Sequence, residues 1–273
     1  MADLGRMSIN QATTREQHSL AQAIAAYAQA GVPGISIWRD KLAECGLEEA
    51  VRMVRDHGLQ VSGLCRAGQF PAVDAAARQA CLDDNKNAVD QAAVLGADCL
   101  IVVAGGLPEG SKDLPGARLM IRDSLGALLP YARAAGVTLA IEPLHPMYAG
   151  DRCAINTLSQ ALDLCDELGA GVGVAVDVYH LWWDPILQAQ IKRAGDRILA
   201  FHVCDWLVPT TDLLLDRGMM GDGVIDIPKI REWVDDTGYD GLIEVEIFSA
   251  ENWWKRPGGE VIRTCQERFN KNV

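Results

Sequence analysis

Two short stretches, VGVAVDVYHL at Val172–Leu181 and LAFHVCD at Leu199–Asp205, decide the fold. Each is an apolar run that ends in side chains able to bind a metal ion or to move protons. The side chains that close the two runs are Asp177, His180, His202 and Asp205. An apolar run of this length is typical of a strand that is buried on both faces of a parallel sheet. We therefore expect two parallel strands that bring their polar ends to one place.

Two further runs end in the same way. VTLAIEPLH at Val137–His145 carries Glu142, and GLIEVEIF at Gly241–Phe248 carries Glu246. In a (β/α)8 barrel the carboxyl ends of all strands meet at one rim, where the active site forms. Four strands that each deliver a polar side chain to that rim indicate a single site.

The rest of the chain alternates strand-like and helix-like segments, with glycine at many helix ends. The predicted strands are Leu4–Ile9, Val32–Trp38, Leu59–Cys65, Ala97–Gly105, Val137–Glu142, Val172–Asp177, Ile198–Cys204 and Leu242–Phe248. The alternation predicts parallel strands joined by right-handed crossovers. A doubly wound open sheet is the competing α/β architecture, but Asn10–Thr14 lacks the glycine-rich loop that usually follows its first strand. We predict an α/β fold, a (β/α)8 TIM barrel, as a single domain over residues 1–273.

The composition of the 273 residues narrows the class of function. Hydrophobic residues make up 49% and charged residues 23%, which suits one large globular domain. The formal charge of −12 disfavours nucleic acid as a partner, because binding to phosphates depends on Lys and Arg. The apolar runs are shorter than the roughly 20 residues of a membrane span, and no signal-peptide pattern is visible. The eight cysteines show no CxxC spacing, so we expect a cytoplasmic protein with free thiols.

Glu142, Asp177, His202 and Glu246 form the candidate metal site. Three carboxylates placed together would repel one another and raise each other's pKa, and a divalent cation removes that repulsion. Three oxygen donors and one imidazole suit Mn²⁺, Mg²⁺ or Co²⁺ better than structural zinc, which favours sulfur and nitrogen. We expect one divalent cation, with Mn²⁺ first and Mg²⁺, Co²⁺ or Zn²⁺ as alternatives. The competing interpretation is that each carboxylate caps a helix or pairs with an arginine.

Further polar residues accompany this set. We place His145, His180 and Asp205 among the candidate substrate-binding residues. Each histidine could instead support a metal ligand from behind or be a satisfied core residue, and Asp205 could likewise support a ligand rather than contact substrate. Glu244 lies two residues before Glu246 and faces the same way, so we expect it to be structural or paired with a basic residue.

Several aromatic and basic residues leave two interpretations open. The pairs Trp182–Trp183 and Trp253–Trp254 suit either the core or a surface that stacks on a sugar ring. Arg39 and Arg66 follow the second and third predicted strands, where they can face the rim or the solvent. The segment Arg217–Gly223 is rich in Gly and Met, and is either a lid over the site or a packed loop.

A divalent cation flanked by two glutamates can carry out an enolisation. The cation polarises a substrate carbonyl or hydroxyl, one carboxylate takes a proton from the adjacent carbon, and the other returns one. The cation also stabilises the negative charge of the enediolate.

Several motifs carry a family resemblance: AIEPLHP, VAVDVYHLWWDP, FHVCD, DRGMMGDGVIDIPKI and GYDGLIEVEIF. Together they resemble the xylose isomerase-like TIM barrel family, also called the sugar phosphate isomerase/epimerase family. That family includes ketose 3-epimerases, hydroxypyruvate isomerase, and inosose isomerase and dehydratase. The resemblance is strongest from about Val137 to Ser249, and the first half shares only the rhythm of strands and helices. Pro143 departs from the family, which often has asparagine after the first glutamate.

The resemblance implies roles for particular residues. The Glu, Asp, His and Glu at these strand ends bind the metal in the family, which corresponds to the four candidate ligands. The first and last of them, Glu142 and Glu246, would be the acid/base pair. His180 resembles a histidine that contacts substrate, and Arg217 resembles an arginine that touches substrate oxygens. The family also favours a homo-oligomer.

We therefore expect an enzyme of carbohydrate metabolism, a divalent-metal-dependent isomerase or epimerase of a small keto sugar or cyclic keto polyol. It would act by proton transfer through a metal-stabilised enediolate. The alternative is a lyase or dehydratase that eliminates a β-leaving group from a keto sugar or inosose, including cleavage of a keto-glycoside. Both reactions need the same metal and bases. A DNA-repair endonuclease on the same barrel is disfavoured by the charge and by the five histidines, and a non-catalytic sugar-binding protein is the remaining hypothesis.

Overall fold

A computed structural model describes residues 4–273, so residues 1–3 of the predicted domain lie outside the described part of the chain. Its strands are β1 (Met7–Asn10), β2 (Gly34–Trp38), β3 (Gln60–Gly68), β4 (Leu100–Val103), β5 (Leu139–Ile141), β6 (Val172–Asp177), β7 (Ile198–Val203), β8 (Asp205–Trp206), β9 (Arg217–Gly218) and β10 (Ile243–Val245). All except β8 and β9 form one closed parallel barrel, in which β1 pairs with both β2 and β10. Strands β8 and β9 form a separate antiparallel pair. The predicted TIM barrel is confirmed.

Helices connect the barrel strands. They are α1 (Leu20–Gln29), α2 (Arg39–Cys45), α3 (Leu47–His57), α4 (Ala75–Leu95), α5 (Leu114–Ala134), α6 (Leu158–Leu168), α7 (Val178–Leu181), α8 (Leu187–Ala194), α9 (Ile227–Asp235) and α10 (Gly258–Asn272). Thr157 caps α6, because its side chain accepts a hydrogen bond from the backbone N–H of Gln160. Among residues 4–273, no helix combines the length and the apolar character needed to cross a membrane.

The first two predicted elements begin later than expected. Leu4–Arg6 is a 3₁₀ turn, so the first strand covers Met7–Asn10. The Ala-rich spacing of Arg15–Ala30 predicts one helix over that whole segment, but α1 begins only at Leu20, because Ser19 and Gln22 form a reciprocal capping box that fixes its start.

Small side chains line the inside of the barrel beneath the rim. Ala140, Ala175 and Ala200 belong to one buried cluster within it, together with Cys65, Cys99 and Ile101. Because strand side chains alternate between faces, a residue two positions after each alanine also points inward. Those residues are Glu142, Asp177 and His202. The pattern of an alanine followed by a ligand two residues later therefore brings the polar side chains to a common point.

Candidate metal centre and substrate cavity

The four predicted metal ligands come together at the carboxyl-terminal end of the barrel. Asp177 ends β6, His202 lies in β7, and Glu142 and Glu246 directly follow β5 and β10. One potential ligand atom from each of the four lies within 4.8 Å of the others, and all four residues are buried. The barrel therefore gathers three carboxylates and one imidazole in a volume that fits a single ion.

Burial perturbs the carboxylates of this cluster. It raises the pKa of Asp177 to about 6 and the pKa of Glu246 to about 8, with Arg217 opposing the shift and Glu142 adding to it in both cases. The raised pKa values of Asp177 and Glu246 show that the buried pocket disfavours a state in which all of its carboxyl groups are ionised. A divalent cation would supply the missing positive charge, and the oxygen-rich donor set matches the preferences of such ions.

His202 is oriented as a metal-binding histidine. Its Nδ1 lies 2.9 Å from Glu142 Oε1, inside the cluster. Its Nε2 lies 3.7 Å from Glu244 Oε1 and has no hydrogen-bond partner in the described part of the chain. Although burial lowers the pKa of His202, the carboxylates of Glu244 and Glu142 raise it well above its usual value. One ring nitrogen facing the ion site and the other facing a carboxylate is common in metal sites.

Glu244 belongs to a polar network inside the barrel. Its Oε1 accepts a hydrogen bond from Asn10 Nδ2 at 2.6 Å, and its Oε2 accepts one from Ser62 Oγ at 3.0 Å. Ser62 in turn contacts Ser8 at 2.7 Å. Within residues 4–273 Glu244 forms no ion pair with a lysine or arginine. Of the two roles expected for it, pairing with a basic residue or a structural role, the structure therefore agrees with the structural role.

Arg217 supplies the nearest fixed positive charge. Its Nη1 lies 3.0 Å from Glu246 Oε2 and 3.5 Å from Asp177 Oδ2. The guanidinium carbon lies 4.4 Å from the ring centre of Tyr179 and 4.9 Å from that of Phe248. These aromatic contacts and the ion pairs hold a buried arginine at the edge of the cluster.

His180 lies beside Arg217. Its Nε2 is 3.3 Å from Arg217 Nη2, and its Nδ1 accepts a hydrogen bond from the backbone N–H of His145 at 3.3 Å. Burial, assisted by the positive charge of Arg217, lowers the pKa of His180 well below its usual value. His180 is therefore neutral at physiological pH.

A cavity of about 410 Å³ opens above the cluster. This volume suits a small metabolite. Four of the predicted site residues line it: Glu142, His180, Arg217 and Glu246. Its aromatic wall consists of Trp38, Tyr148, Phe248 and Trp254. Polar groups at the base and aromatic surfaces at the side are what a sugar ring requires.

His145 and Asp205 do not line this cavity. The ring of His145 packs against Trp206, with 5.0 Å between ring centres, and its pKa is lowered by burial. Asp205 is fully buried, and its carboxylate accepts four backbone N–H groups. The donors are Trp206, Gly221, Gly223 and Ile225. The structure therefore places these two residues around the site rather than in contact with its contents.

The second half of the long loop after β7 is packed. Met219 and Met220, in the segment Arg217–Gly223, are 0% exposed. The carboxylate of Asp205 binds the backbone of the same segment. Of the two alternatives for this segment, a lid over the site or a packed loop, the structure therefore resembles the packed loop.

The tryptophan and arginine residues whose roles the sequence left undecided separate into those that line the cavity and those that do not. Trp254 and Arg66 line the cavity, and Arg66 is half-buried. Trp253 is buried in the core, and Arg39 forms an ion pair with Asp84 at 2.8 Å outside the cavity. The remaining pair, Trp182 and Trp183, lies close to Trp206 and His145 respectively.

Sequence reasoning missed two residues near the site, Asn10 and Trp38. Asn10 Nδ2 donates hydrogen bonds to Glu244 and Glu246, and Trp38 Nε1 donates one to Asn10 Oδ1. A signal was present, because Ser8 and Asn10 alternate with apolar residues at the end of the first strand. That is the same pattern of a polar residue at a strand end that identified the four ligands.

Comparison with known proteins agrees with the fold. A family model described as xylose isomerase-like TIM barrel matches residues 24–267. The chain belongs to this family. Inosose isomerase of Bacillus velezensis is 26% identical over 96% of this chain and 95% of its own length.

Two solved structures illustrate the range of similarity. Protein SMc04130 from Sinorhizobium meliloti is 59% identical and superposes with a TM-score of 0.98 over 99% of both chains. The IOLI protein, solved with a bound zinc atom, is 22% identical with a TM-score of 0.85, over 98% of this chain and 99% of its own. The second similarity concerns the fold alone.

Proposed function

We propose that this protein is a divalent-metal-dependent isomerase or epimerase of a small keto sugar or cyclic keto polyol. The observation that carries the proposal is the buried cluster of Glu142, Asp177, His202 and Glu246 at the base of the cavity. The similarity to an inosose isomerase over nearly the whole chain supports the same class of reaction.

Two functions would fall to residues of the chain, binding of the ion and transfer of protons. The four cluster residues would hold the ion, which when bound polarises a substrate carbonyl or hydroxyl and stabilises negative charge on its oxygen. Glu142 and Glu246 line the cavity and would exchange protons with the carbon next to that oxygen.

Other residues would bind and orient the substrate. Arg217 and neutral His180 both line the cavity. Arg217 would donate hydrogen bonds to substrate hydroxyl groups, and His180 would donate hydrogen bonds to them or accept hydrogen bonds from them. The faces of Trp38 and Trp254 would exclude water and pack against the apolar face of the ring. Asp205 and His145 would act only by holding the surrounding loops.

Solvent exchange tests this proposal. Chelator-stripped protein is reloaded with Mn²⁺, Mg²⁺, Co²⁺ or Zn²⁺ and screened in D₂O by NMR against keto sugars and inososes. We expect metal-dependent uptake of deuterium into a product of unchanged composition. Loss of water or of an aglycone would instead identify the lyase alternative. Failure to bind any divalent ion would contradict the proposal.

Substitution of the acid/base pair provides the second test. Glu142→Gln and Glu246→Gln should each lower kcat by at least about 100-fold, the usual contribution of a positioned acid or base. The barrel should keep its circular dichroism spectrum, because both side chains lie at the rim. Glu48→Gln on the exposed face of α3 is the matched control and should leave kcat unchanged. Turnover at the wild-type rate in Glu246→Gln would remove that residue from the mechanism.

We further propose Mn²⁺ as the native ion, a homo-oligomer as the assembled state and the cytoplasm as the location. Elemental analysis of protein purified without added metal checks the ion. Light scattering checks the assembly, and a monomeric mass at micromolar concentration would contradict it.

A further inference from the structure

Asn10 lies directly beneath the four candidate metal ligands, at the end of β1. Its side chain is buried, and Nδ2 lies 2.6 Å from Glu244 Oε1 and 2.8 Å from Glu246 Oε1. Its Oδ1 accepts hydrogen bonds from the backbone N–H of Ala12 at 2.9 Å and from Trp38 Nε1 at 2.8 Å. A carboxamide has two N–H donors and two oxygen lone pairs, so every hydrogen-bonding position of Asn10 is used.

This arrangement fixes the orientation of the amide. A flipped Asn10 would direct its oxygen at two carboxylates and its NH₂ at two N–H donors, which is unfavourable on both sides. The side chain therefore has one orientation, in which its donors face Glu244 and Glu246.

Asn10 and Arg217 together hold the carboxylate of Glu246 from two directions. Asn10 contacts Oε1, and Arg217 Nη1 contacts Oε2 at 3.0 Å. A carboxylate held at both oxygens cannot rotate freely about its last torsion. Arg217 lines the cavity and is available to substrate, whereas Asn10 is absent from the cavity wall and contacts Glu246 only from below.

We propose that Asn10 is a positioning residue for proton transfer, and that its amide sets the rotation of the Glu246 carboxylate. This inference rests on the proposed function for the role of Glu246 as a proton carrier. Displacing a reacting group by about 1 Å can lower a rate by about 100-fold. Loss of the amide therefore affects the chemical step more than it affects binding of the substrate.

Asn10 has a second contact that a test must separate from this role. Through Oδ1 it caps the 3₁₀ turn Gln11–Thr14, by accepting the N–H of Ala12. Asn10→Ser keeps a good capping oxygen but is too short to reach both glutamates, whereas Asn10→Ala removes the cap as well. If capping were the only role, the serine variant would behave like the wild type and only the alanine variant would be impaired.

Asn85 provides a matched control. It is equally buried, and its amide contacts only backbone groups of Gly68 and Cys81 and the Cys81 thiol. Asn85→Ser therefore measures the general cost of shortening a buried asparagine in this barrel. It should not alter the kinetics of a site from which it is separate.

The experiment compares the four full-length proteins loaded with Mn²⁺. We expect kcat to fall about 100-fold in both Asn10 variants, with KM within about threefold of the wild type. Isothermal titration of the chelator-stripped proteins should show Mn²⁺ binding weakened by no more than about 100-fold in the Asn10 variants, so kcat is compared at Mn²⁺ concentrations that saturate every protein. A kcat for Asn10→Ser within threefold of the wild type at saturating Mn²⁺ would overturn the proposal.

A crystal structure of Asn10→Ser gives a readout that needs no substrate. We expect the Glu246 carboxylate to be rotated or to occupy two conformations. A single unchanged conformation would overturn the positioning role. Absence of turnover in the wild type would count against the proposed function alone. The orientation of the Glu246 carboxylate in the crystal structure of Asn10→Ser would still decide whether Asn10 positions it.

Discussion

Asp205 holds the long loop between β7 and α9 from the inside, and Asp205→Asn tests that role. Oδ1 accepts hydrogen bonds from the backbone N–H groups of Trp206 at 2.9 Å and Ile225 at 3.0 Å. Oδ2 accepts hydrogen bonds from Gly221 and Gly223, both at 2.9 Å. Asparagine has nearly the same shape but replaces one oxygen with an NH₂ group. Two of the four backbone donors would therefore face another donor.

The size of the loss follows from these four contacts. A hydrogen bond to a charged group contributes about 1.5–3 kcal/mol, and a buried donor without a partner costs about as much again. Losing two such bonds, and weakening the other two by removing the charge, should lower the free energy of unfolding by about 3–5 kcal/mol. For a chain of this length that corresponds to a fall in Tm of at least about 6 °C.

Thermal unfolding of Asp205→Asn beside Asp212→Asn measures the effect. Asp212 Oδ1 also accepts two backbone N–H groups, from Leu214 at 2.8 Å and Leu215 at 2.9 Å, but Asp212 is exposed. Water can replace those bonds, so the control should lose less than about 1 kcal/mol. If Asp205→Asn were no less stable than Asp212→Asn, the carboxylate would not be what holds the loop.

Two further perturbations address the barrel and the metal site. Gly68→Ala should destabilise the protein by about 3 kcal/mol, measured by urea unfolding, because its φ is +109° and a Cβ would lie 2.0 Å from a carbonyl oxygen of β4. Gly31→Ala has a φ of +75° but open space around its Cβ, and a cost above about 2 kcal/mol there would show that contact is not the deciding factor. His202→Ala should weaken Mn²⁺ binding at least about 100-fold by calorimetry, since changes around a ligand already cost 10–100-fold. Unchanged affinity would remove His202 from the ligand set.

The strand ends were predictable because they obey local rules. A run such as VGVAVD needs only a period of two and burial on both faces to place Asp177 at the rim. The same rule applies to Glu142, His202 and Glu246, so the sequence predicted both the barrel and the set of four residues that it gathers. The late start of α1 is a local effect as well, but Arg15, Glu16 and Gln17 are all good helix formers and conceal the cap at Ser19.

The contacts around the cluster were not predictable, because they join residues far apart in the chain. Asp205 looked like a site residue because it follows His202 closely, yet its carboxylate binds backbone groups up to 20 residues later. Likewise the partners of Glu244 are Asn10 and Ser62, which lie 234 and 182 residues away. No propensity or spacing rule reports such distances, since they depend on how the barrel closes.

Closure of the barrel between β1 and β10 has a consequence for biosynthesis. Asn10 is synthesised 234 and 236 residues before Glu244 and Glu246, its partners across the closure. Glu142, Asp177 and His202 are all synthesised before the strand that completes the cluster. The polar centre is therefore assembled only when the whole barrel has been translated and its two ends have paired. A truncated chain that lacks the last strand has an incomplete ligand set and an open sheet edge, which can pair with another chain.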